Sequence, residues 1–467
     1  MNTGGGSTPD NPGTGGDISG PINTDNYLTI LALEDGLTAK LSNTCQYCID
    51  GDGNWINLPA GTTTQSINSG QTLSFKGNLT PKSSTGIGTF TINKKCNIEG
   101  NCISMLFGDD AVNNNSLYGK DYAFCKLFDK CANIIHVSEA FLPATTLVED
   151  CYYYMFSNCT SLTTAPELPA TTLAYECYRN MFQNCTSLTT APALPATELN
   201  HYCYASMFYG CTSLTSAPEL PATNLYSVCY SSMFYGCTSL TTAPALPATT
   251  LAGNCYRFMF YNTNVLPDCS NIDFNSNAVV KSGGLKGLFG GTKVTDSDLY
   301  NILPINPATG KYWLPATTLA RNCYEYMFQN CTSLTTAPEL PATTLAGNCY
   351  YYMFSNCTNL TTAPKLPATT LEKYCYNQMF SNCTSLTTAP ELLATTLTDY
   401  CYYQMFYGCR KLSYIKMLAT NISASNCLSL WVASVASTGT FVKNPAMTSL
   451  STGASGIPSG WTVVDDN

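Results

Sequence analysis

Residues 151–159 read CYYYMFSNC, and the same alternation of apolar and polar positions returns many times along the chain. The positions that stay apolar or aromatic are Cys151, Tyr152, Met155, Phe156 and Cys159, at offsets 0, 1, 4, 5 and 8. That spacing places them along one face of a helix of about two turns. The stretch that follows, TSLTTAPELPATTL, behaves differently. Leu162 and Leu168 are inward candidates, and Thr163, Thr164, Thr171 and Thr172 suit extended backbone. Pro166 and Pro169 enforce breaks and turns, because proline cannot donate to an interior ladder. Each unit is therefore expected to hold a short helix, a main sheet contact at SLTTA and a shorter extended piece near ATTL. A helix this short does not stand alone in water, so its apolar face must pack against another part of the chain.

The repetition supplies that partner. Leu142, Leu168, Leu194, Leu220 and Leu246 recur every 26 residues, and a second run continues through Leu314, Leu340, Leu366, Leu392 and Leu418. A period of this length predicts an elongated solenoid in which each unit buries its apolar side against its neighbours. Met155, Phe156, Phe182, Phe208 and Phe234, then Phe328, Phe354, Phe380 and Phe406, are the predicted internal column. Positions 153–154 instead change freely, to Arg179-Asn180, Ala205-Ser206, Ser231-Ser232 and Glu325-Tyr326, and are expected to face solvent. The column of Glu167, Ala193, Glu219 and Lys365 reads the same way.

The remaining segments give the domain plan. Residues 1–25 form a flexible arm rich in Gly and Pro, which could also order on a partner assembly. Short β-favouring runs separated by turns predict an antiparallel β domain over 26–98, with Trp55, Phe75 and Phe90 as core candidates. An exposed Trp55 would instead offer a ring to a sugar. Atypical repeats or a cap occupy 99–141, the first regular array 142–262, an irregular repeat or insertion 263–313, and the second array 314–430. Residues 431–467 read as a C-terminal cap closed by Phe441 and Trp461.

The motif CTSL recurs at 159–162, 185–188, 211–214, 237–240, 331–334 and 383–386, each time directly after the Cys-Tyr…Met-Phe element. With that element it resembles the BspA-like leucine-rich repeats of bacterial surface proteins. The arm, β domain and repeats together also resemble proteins of Bacteroidetes and their phages. The fold class implied is a repeat solenoid, leucine-rich-repeat-like, of short strands and short helices, preceded by a small all-β domain. The resemblance implies a non-enzymatic adhesion or receptor-recognition protein whose partner is a protein or glycan on a cell surface. The rival expectation is a structural phage virion protein (a head or tail fibre, spike or capsid decoration) that also contacts the host. In either case the N-terminal region would attach the chain to an envelope or virion, with homo-oligomerisation as a further expectation. The location expected is a bacterial cell surface, the extracellular space or a virion surface. Tyr153, Tyr154, Tyr326, Tyr351, Tyr352 and Tyr403 are the candidate binding surface, since tyrosine gives broad contact with little rotamer loss.

Composition narrows the chemistry. Charged residues make up 11% of the chain and the net charge is −9, which leaves no basic footprint for nucleic acid. The 25 cysteines, most of them in Cys-x7-Cys pairs, favour small buried thiols packed as hydrophobes. Disulfides within or between units remain open at this point, and structural zinc is the weakest reading because the repeated pairs, eight residues apart, lack the short Cys-x2–4-Cys knuckle. The isolated CQYC at 45–48 adds no redox or metal expectation. The two histidines, His136 and His201, sit apart from any nucleophile or paired carboxylate. No catalytic residue, metal site or cofactor is expected. Asn158-Cys159-Thr160 and its repeats match a glycosylation sequon, read here as a by-product of turn composition. The first residues show neither a basic nor an apolar leader segment, so no conventional signal peptide is visible.

Overall fold

The computed structural model describes residues 21–267, 269, 272 and 283–466. Most of the arm expected over 1–25 and part of the insertion expected over 263–313 lie outside those residues. After a 3-10 turn at Thr24–Asn26, the described residues form strands β1 (Leu28–Ala32), β2 (Ala39–Leu41), β3 (Cys45–Ile49), β4 (Ile56–Leu58), β5 (Thr72–Lys76), β6 (Phe90–Ile92) and β7 (Cys96–Gly100). β8 (Ile134–Val137) then completes a six-stranded sheet in the order β4-β3-β5-β1-β7-β8, while β2 and β6 pair separately. The pairing is antiparallel up to β7, and β7 joins β8 in parallel.

That parallel step carries the sheet into the repeats. His136 bridges Thr164, and the ladder continues in parallel through Thr190, Ser216 and Thr242, one rung per unit. The aromatic interior is continuous as well. Phe75 meets Phe90 at 5.1 Å, Phe90 stacks on Phe128 at 5.3 Å, and Phe128 stacks on Phe156 at 5.5 Å. Phe156, Phe182, Phe208 and Phe234 then follow at 5.7–5.8 Å with ring planes within 3–6° of parallel. A second buried column runs beside it through Tyr152, Tyr178, Tyr204 and Tyr230 at 5.6–5.8 Å. Every one of these rings in the repeats is buried, as are Met155, Phe328, Phe354, Phe380 and Phe406. Successive units thus share one interior, as a solenoid requires.

The helix expected over 151–159 does not form. Tyr153, Met155, Ser157 and Cys159 donate their amides three residues back, at 3.1–3.2 Å. The alternate amides, those of Asp150, Tyr152, Tyr154, Phe156 and Asn158, donate instead to Tyr175, Cys177, Arg179, Met181 and Gln183 of the next unit, at 2.7–3.1 Å. A helix would keep every amide for itself; this run of turns gives half of them to its neighbour. Each fourth residue, here Asp150, Tyr154 and Asn158, takes a left-handed conformation (φ 53°, 54° and 60°). Such a residue costs on the order of 1–2 kcal/mol unless it is Gly or Asn. The third of these positions accordingly carries Asn158, Asn184, Gly210, Gly236, Asn330, Asn356, Asn382 and Gly408. Where Asn follows Asn the amides form a ladder, Asn356 donating to Asn330 and Asn382 to Asn356 at 2.9 Å.

The cysteines complete the rung. All are buried, and leaving Cys269 aside they are thiols rather than disulfides. The second cysteine of each unit donates its S–H to the phenylalanine carbonyl of the unit before, as from Cys185 to Phe156, Cys211 to Phe182 and Cys383 to Phe354, each at 3.1 Å. Alanine would fill similar space without that donor, and serine would bring a costlier hydroxyl into an apolar column.

The first Thr ladder ends where Pro267 takes the place that Thr241 holds one unit earlier, since proline has no amide to donate. A shortened coil over 283–291 bridges the two arrays. Phe258 and Asn262 donate to its Lys286 and Gly290 carbonyls, and its Gly287, Phe289 and Gly291 donate onward to Glu325, Met327 and Gln329. Its left-handed positions are all glycine: Gly283, Gly287 and Gly291. A β-carbon at Gly287 would lie inside the Phe258 ring, and one at Gly290 inside Tyr261. Both rings therefore pass over the coil, and Tyr261 reaches Gln329 of the second array at 2.8 Å. Helix α1 (Ser104–Phe107) precedes the repeats and α2 (Asp296–Ile302), closed by a Thr295/Asp298 capping box, follows this coil. Asp296 then occupies the first rung of the second ladder. It accepts the amides of Thr335 and Thr336 at 2.9 and 3.2 Å and the Thr335 hydroxyl at 2.7 Å.

The second ladder runs from Thr336 to Thr362 and, further on, from Thr388 into β9 (Tyr414–Met417). β9 pairs in parallel with β10 (Thr440–Lys443), and β10 with β11 (Thr462–Asp465). Trp431, Phe441 and Trp461 are buried at this end. The two indoles donate to the Gly456 and Ala436 carbonyls at 2.9 and 2.8 Å.

Candidate recognition surface

The solvent side of the turn run is built from the residues between its two buried pairs. These positions are not the open column that their variability suggests. Tyr153, Tyr154, Tyr326, Tyr351, Tyr352 and Tyr403 are all half-buried, and their counterparts Asn180, Ala205, Ser231, Glu325 and Asn377 are buried. The reason is geometric. Consecutive units stand one hydrogen-bonded rung apart, so a side chain leaving one coil lies against the side chain of the next.

The six tyrosines fall into separate groups. Tyr153 and Tyr154 meet edge to face at 4.4 Å, and the Arg179 guanidinium lies 5.6 Å from Tyr153 and 5.3 Å from Tyr202. Arg179 is fixed there by Glu176 at 2.7 Å. In the second array Tyr326 stacks on Tyr352 at 5.1 Å and meets Tyr351 edge-on at 5.6 Å. The Lys286–Glu325 pair, at 2.8 Å, places the Lys286 ammonium 5.4 Å from the Tyr326 ring. Tyr352 also contacts Gln378. Tyr403 packs against Tyr400, which stacks on Tyr374 at 4.8 Å. Burial, then the neighbouring phenol, pushes Tyr153 up to about 12, and burial followed by Glu325 does the same for Tyr326. These phenols are neutral hydrogen-bonding groups at physiological pH.

A further row escaped the sequence reading. Tyr209, Tyr235 and Tyr261 stack at 4.6 and 5.1 Å, one residue past the core phenylalanine. Its signal was present in the recurring MFYG, MFYG and MFYN, but the neighbouring Met and Phe dominate that pattern. Trp55, a core candidate from sequence, is half-buried, while Phe75 and Phe90 are fully buried. One indole face is covered by the Lys76 ammonium at 4.2 Å, which is itself tied to Asp109 at 2.9 Å.

Burial raises the array thiols, Cys211 and Cys357 among them, well above the ordinary range and so removes them as nucleophiles. His201 packs on Tyr226 at 5.3 Å, and His136 contacts Thr164. Among the described residues no group of three or more His, Cys, Asp or Glu is placed to hold a metal ion, and no helix is long and apolar enough to cross a membrane. A cleft of about 480 Å³ beside α2 is lined by Thr242, Asn264, Lys293 and Asp298. Asp298 is occupied there by its capping box.

Comparison with known families matches residues 122–241 and 317–428 to the BspA type leucine-rich repeat region, in six copies. The chain thus carries a BspA-type leucine-rich repeat region across both arrays. Regions of this type are associated with protein–protein and adhesive interactions rather than catalysis, and their proteins are typically surface-associated. No curated protein matches the chain.

Proposed function

Starting from a BspA-type repeat region on a shared aromatic interior, we propose that the protein is a non-enzymatic recognition module. In this reading the units form an elongated solenoid displayed on a surface through the N-terminal region, and its tyrosine-bearing side binds a protein partner. The observation that carries the reading is the packing of that side. Tyr153, Tyr154, Tyr326, Tyr351 and Tyr352 are held by one another and by Arg179 or Lys286 before any partner arrives. Little side-chain entropy is then lost on binding. The same packing favours polypeptide over glycan. A sugar needs an open aromatic face, whereas stacked rings such as Tyr326 and Tyr352 present edges and hydroxyls.

The test uses the full chain against arrayed extracellular proteins and arrayed glycans, with Tyr153→Ala/Tyr351→Ala as the variant. Expected are protein ligands whose affinity falls at least about tenfold in the variant, the loss of one or two contact hot spots, while the melting temperature stays within a few degrees. Binding confined to glycans, or protein binding indifferent to both substitutions, overturns the reading.

A further inference from the structure

Asp150 and Glu176 hold the same place in consecutive units, both left-handed at φ 53°. Both are buried, at 7% and 9% exposure. Glu176 is answered by Arg179 at 2.7 Å. Asp150 is not answered in the same way, and its Oδ1 is buried with no hydrogen-bond partner. The titratable groups around it are Tyr122 and Cys125 of the unit before, Glu149 and Cys151 of its own turn, and Glu176 and Arg179 of the unit after. A buried carboxylate in this setting has a second carboxylate one rung away and a single guanidinium for the two of them.

We propose that Asp150 is a proton-operated switch on the recognition surface, setting whether Arg179 stays seated between Tyr153 and Tyr202. With Asp150 protonated, no second buried carboxylate competes with Glu176, which holds Arg179 against both rings. With Asp150 ionised, two carboxylates on adjacent rungs repel each other and compete for Arg179, which leaves its bond to Glu176 and uncovers the Tyr153 face. The biological use of the switch rests on the proposed recognition role; its operation does not. Burial, then Glu176 and Glu149, lifts Asp150 to about 7 against the opposing pull of Tyr122 and Arg179, so the change falls near neutrality.

The sign follows from linkage. The folded value lies above the unfolded one of about 3.9, so the stabilising contribution is complete below pH ~4 and is lost as pH rises toward 7. Thermal unfolding of the full chain between pH 5 and 7.5 tests this in the absence of any partner. Asp150→Asn mimics the protonated acid. It is expected to lie closest to the parent at pH 5, with the gap widening to about 2–4 °C in its favour at pH 7.5. Glu176→Gln removes the competing charge and is expected to flatten the parent's slope. A third readout needs no variant to fold well: in protein labelled with 13C at aspartate carboxyls, one buried resonance should titrate near neutral pH. Parallel melting profiles for parent and Asp150→Asn, or labelled carboxyls that all titrate near pH 4, overturn the proposal. Either failure leaves the proposed partner binding by the tyrosine-bearing side untouched.

Discussion

Raising the pH by a single unit should loosen the whole stack, because its interior is lined with thiols that must stay protonated. Burial pushes twenty-two of the cysteine thiols above their ordinary range, with Cys48 and Cys427 set aside as partly screened. In the unfolded chain each returns to a pKa of about 8.5. Stability is therefore intact below the unfolded value and falls as pH rises through it, since only the unfolded state releases protons there. Each thiol withdraws about 0.06 kcal/mol at pH 7.5 and about 0.4 kcal/mol at pH 8.5. A unit with two such thiols loses about 0.7 kcal/mol over that step, and the twenty-two together about 8 kcal/mol. A unit of this length holds only roughly 1–4 kcal/mol at ordinary stability per residue. Tyrosines enter only at higher pH, their unfolded value being about 10. Guanidinium unfolding of the full chain in a phosphine reductant, at half-unit steps from pH 7.0 to 8.5, should show the midpoint dropping ever more steeply. Cys185→Ala/Cys211→Ala should recover about 0.7 kcal/mol of the pH-dependent part, the share of two thiols. A midpoint unchanged between pH 7.5 and 8.5, or prompt alkylation of the native thiols at pH 7.5, would falsify the closed thiol interior.

Two further outcomes follow from the junction between the arrays. Gly287→Ala forces a left-handed alanine and drives a methyl into Phe258. It should cost about 2–4 kcal/mol, from the αL penalty and the loss of the contact between the Phe258 and Tyr326 rings, whose centroids lie 5.8 Å apart, and should split unfolding into two transitions; one cooperative transition at the parent midpoint refutes the bridging role. Asp296→Ala removes the acceptor of the Thr335 and Thr336 amides and should lower the stability of the second array by about 0.5–1.5 kcal/mol, because the exposed Thr335 can pair with water instead. Burial opposes the Asp296 carboxylate, but bonds from Thr335 and Thr336 hold its pKa below the usual range. That contribution is accordingly present above pH ~4 and lost on acidification, so parent and variant melts should converge at low pH.

The 26-residue period was legible in the sequence, because identical neighbours impose the same burial on every unit. Phe156, Phe182 and Phe208 had to be interior once 26-residue spacing stacked them. The backbone path was not legible in the same way. Offsets of 0, 1, 4, 5 and 8 suit a helix, yet they fit a period of four just as well. The Asn or Gly before each second cysteine was the local sign of a left-handed turn that favoured the latter.

What decided between them is a hydrogen-bond partner 25 residues away, as in Tyr152 to Cys177, which no local window contains. The same holds for the surface. Variation at positions 153 and 154 reads as solvent exposure when each unit is taken alone, but rung spacing brings Tyr153 against Arg179 and Tyr326 against Tyr352. Sequence alone settles that the recurring Cys-Tyr and Met-Phe positions must leave water. Only the stacked structure settles which amides cross between units, which tyrosines share a face and why Asp150 is left without an answering charge, because each depends on what the adjacent coil places beside it.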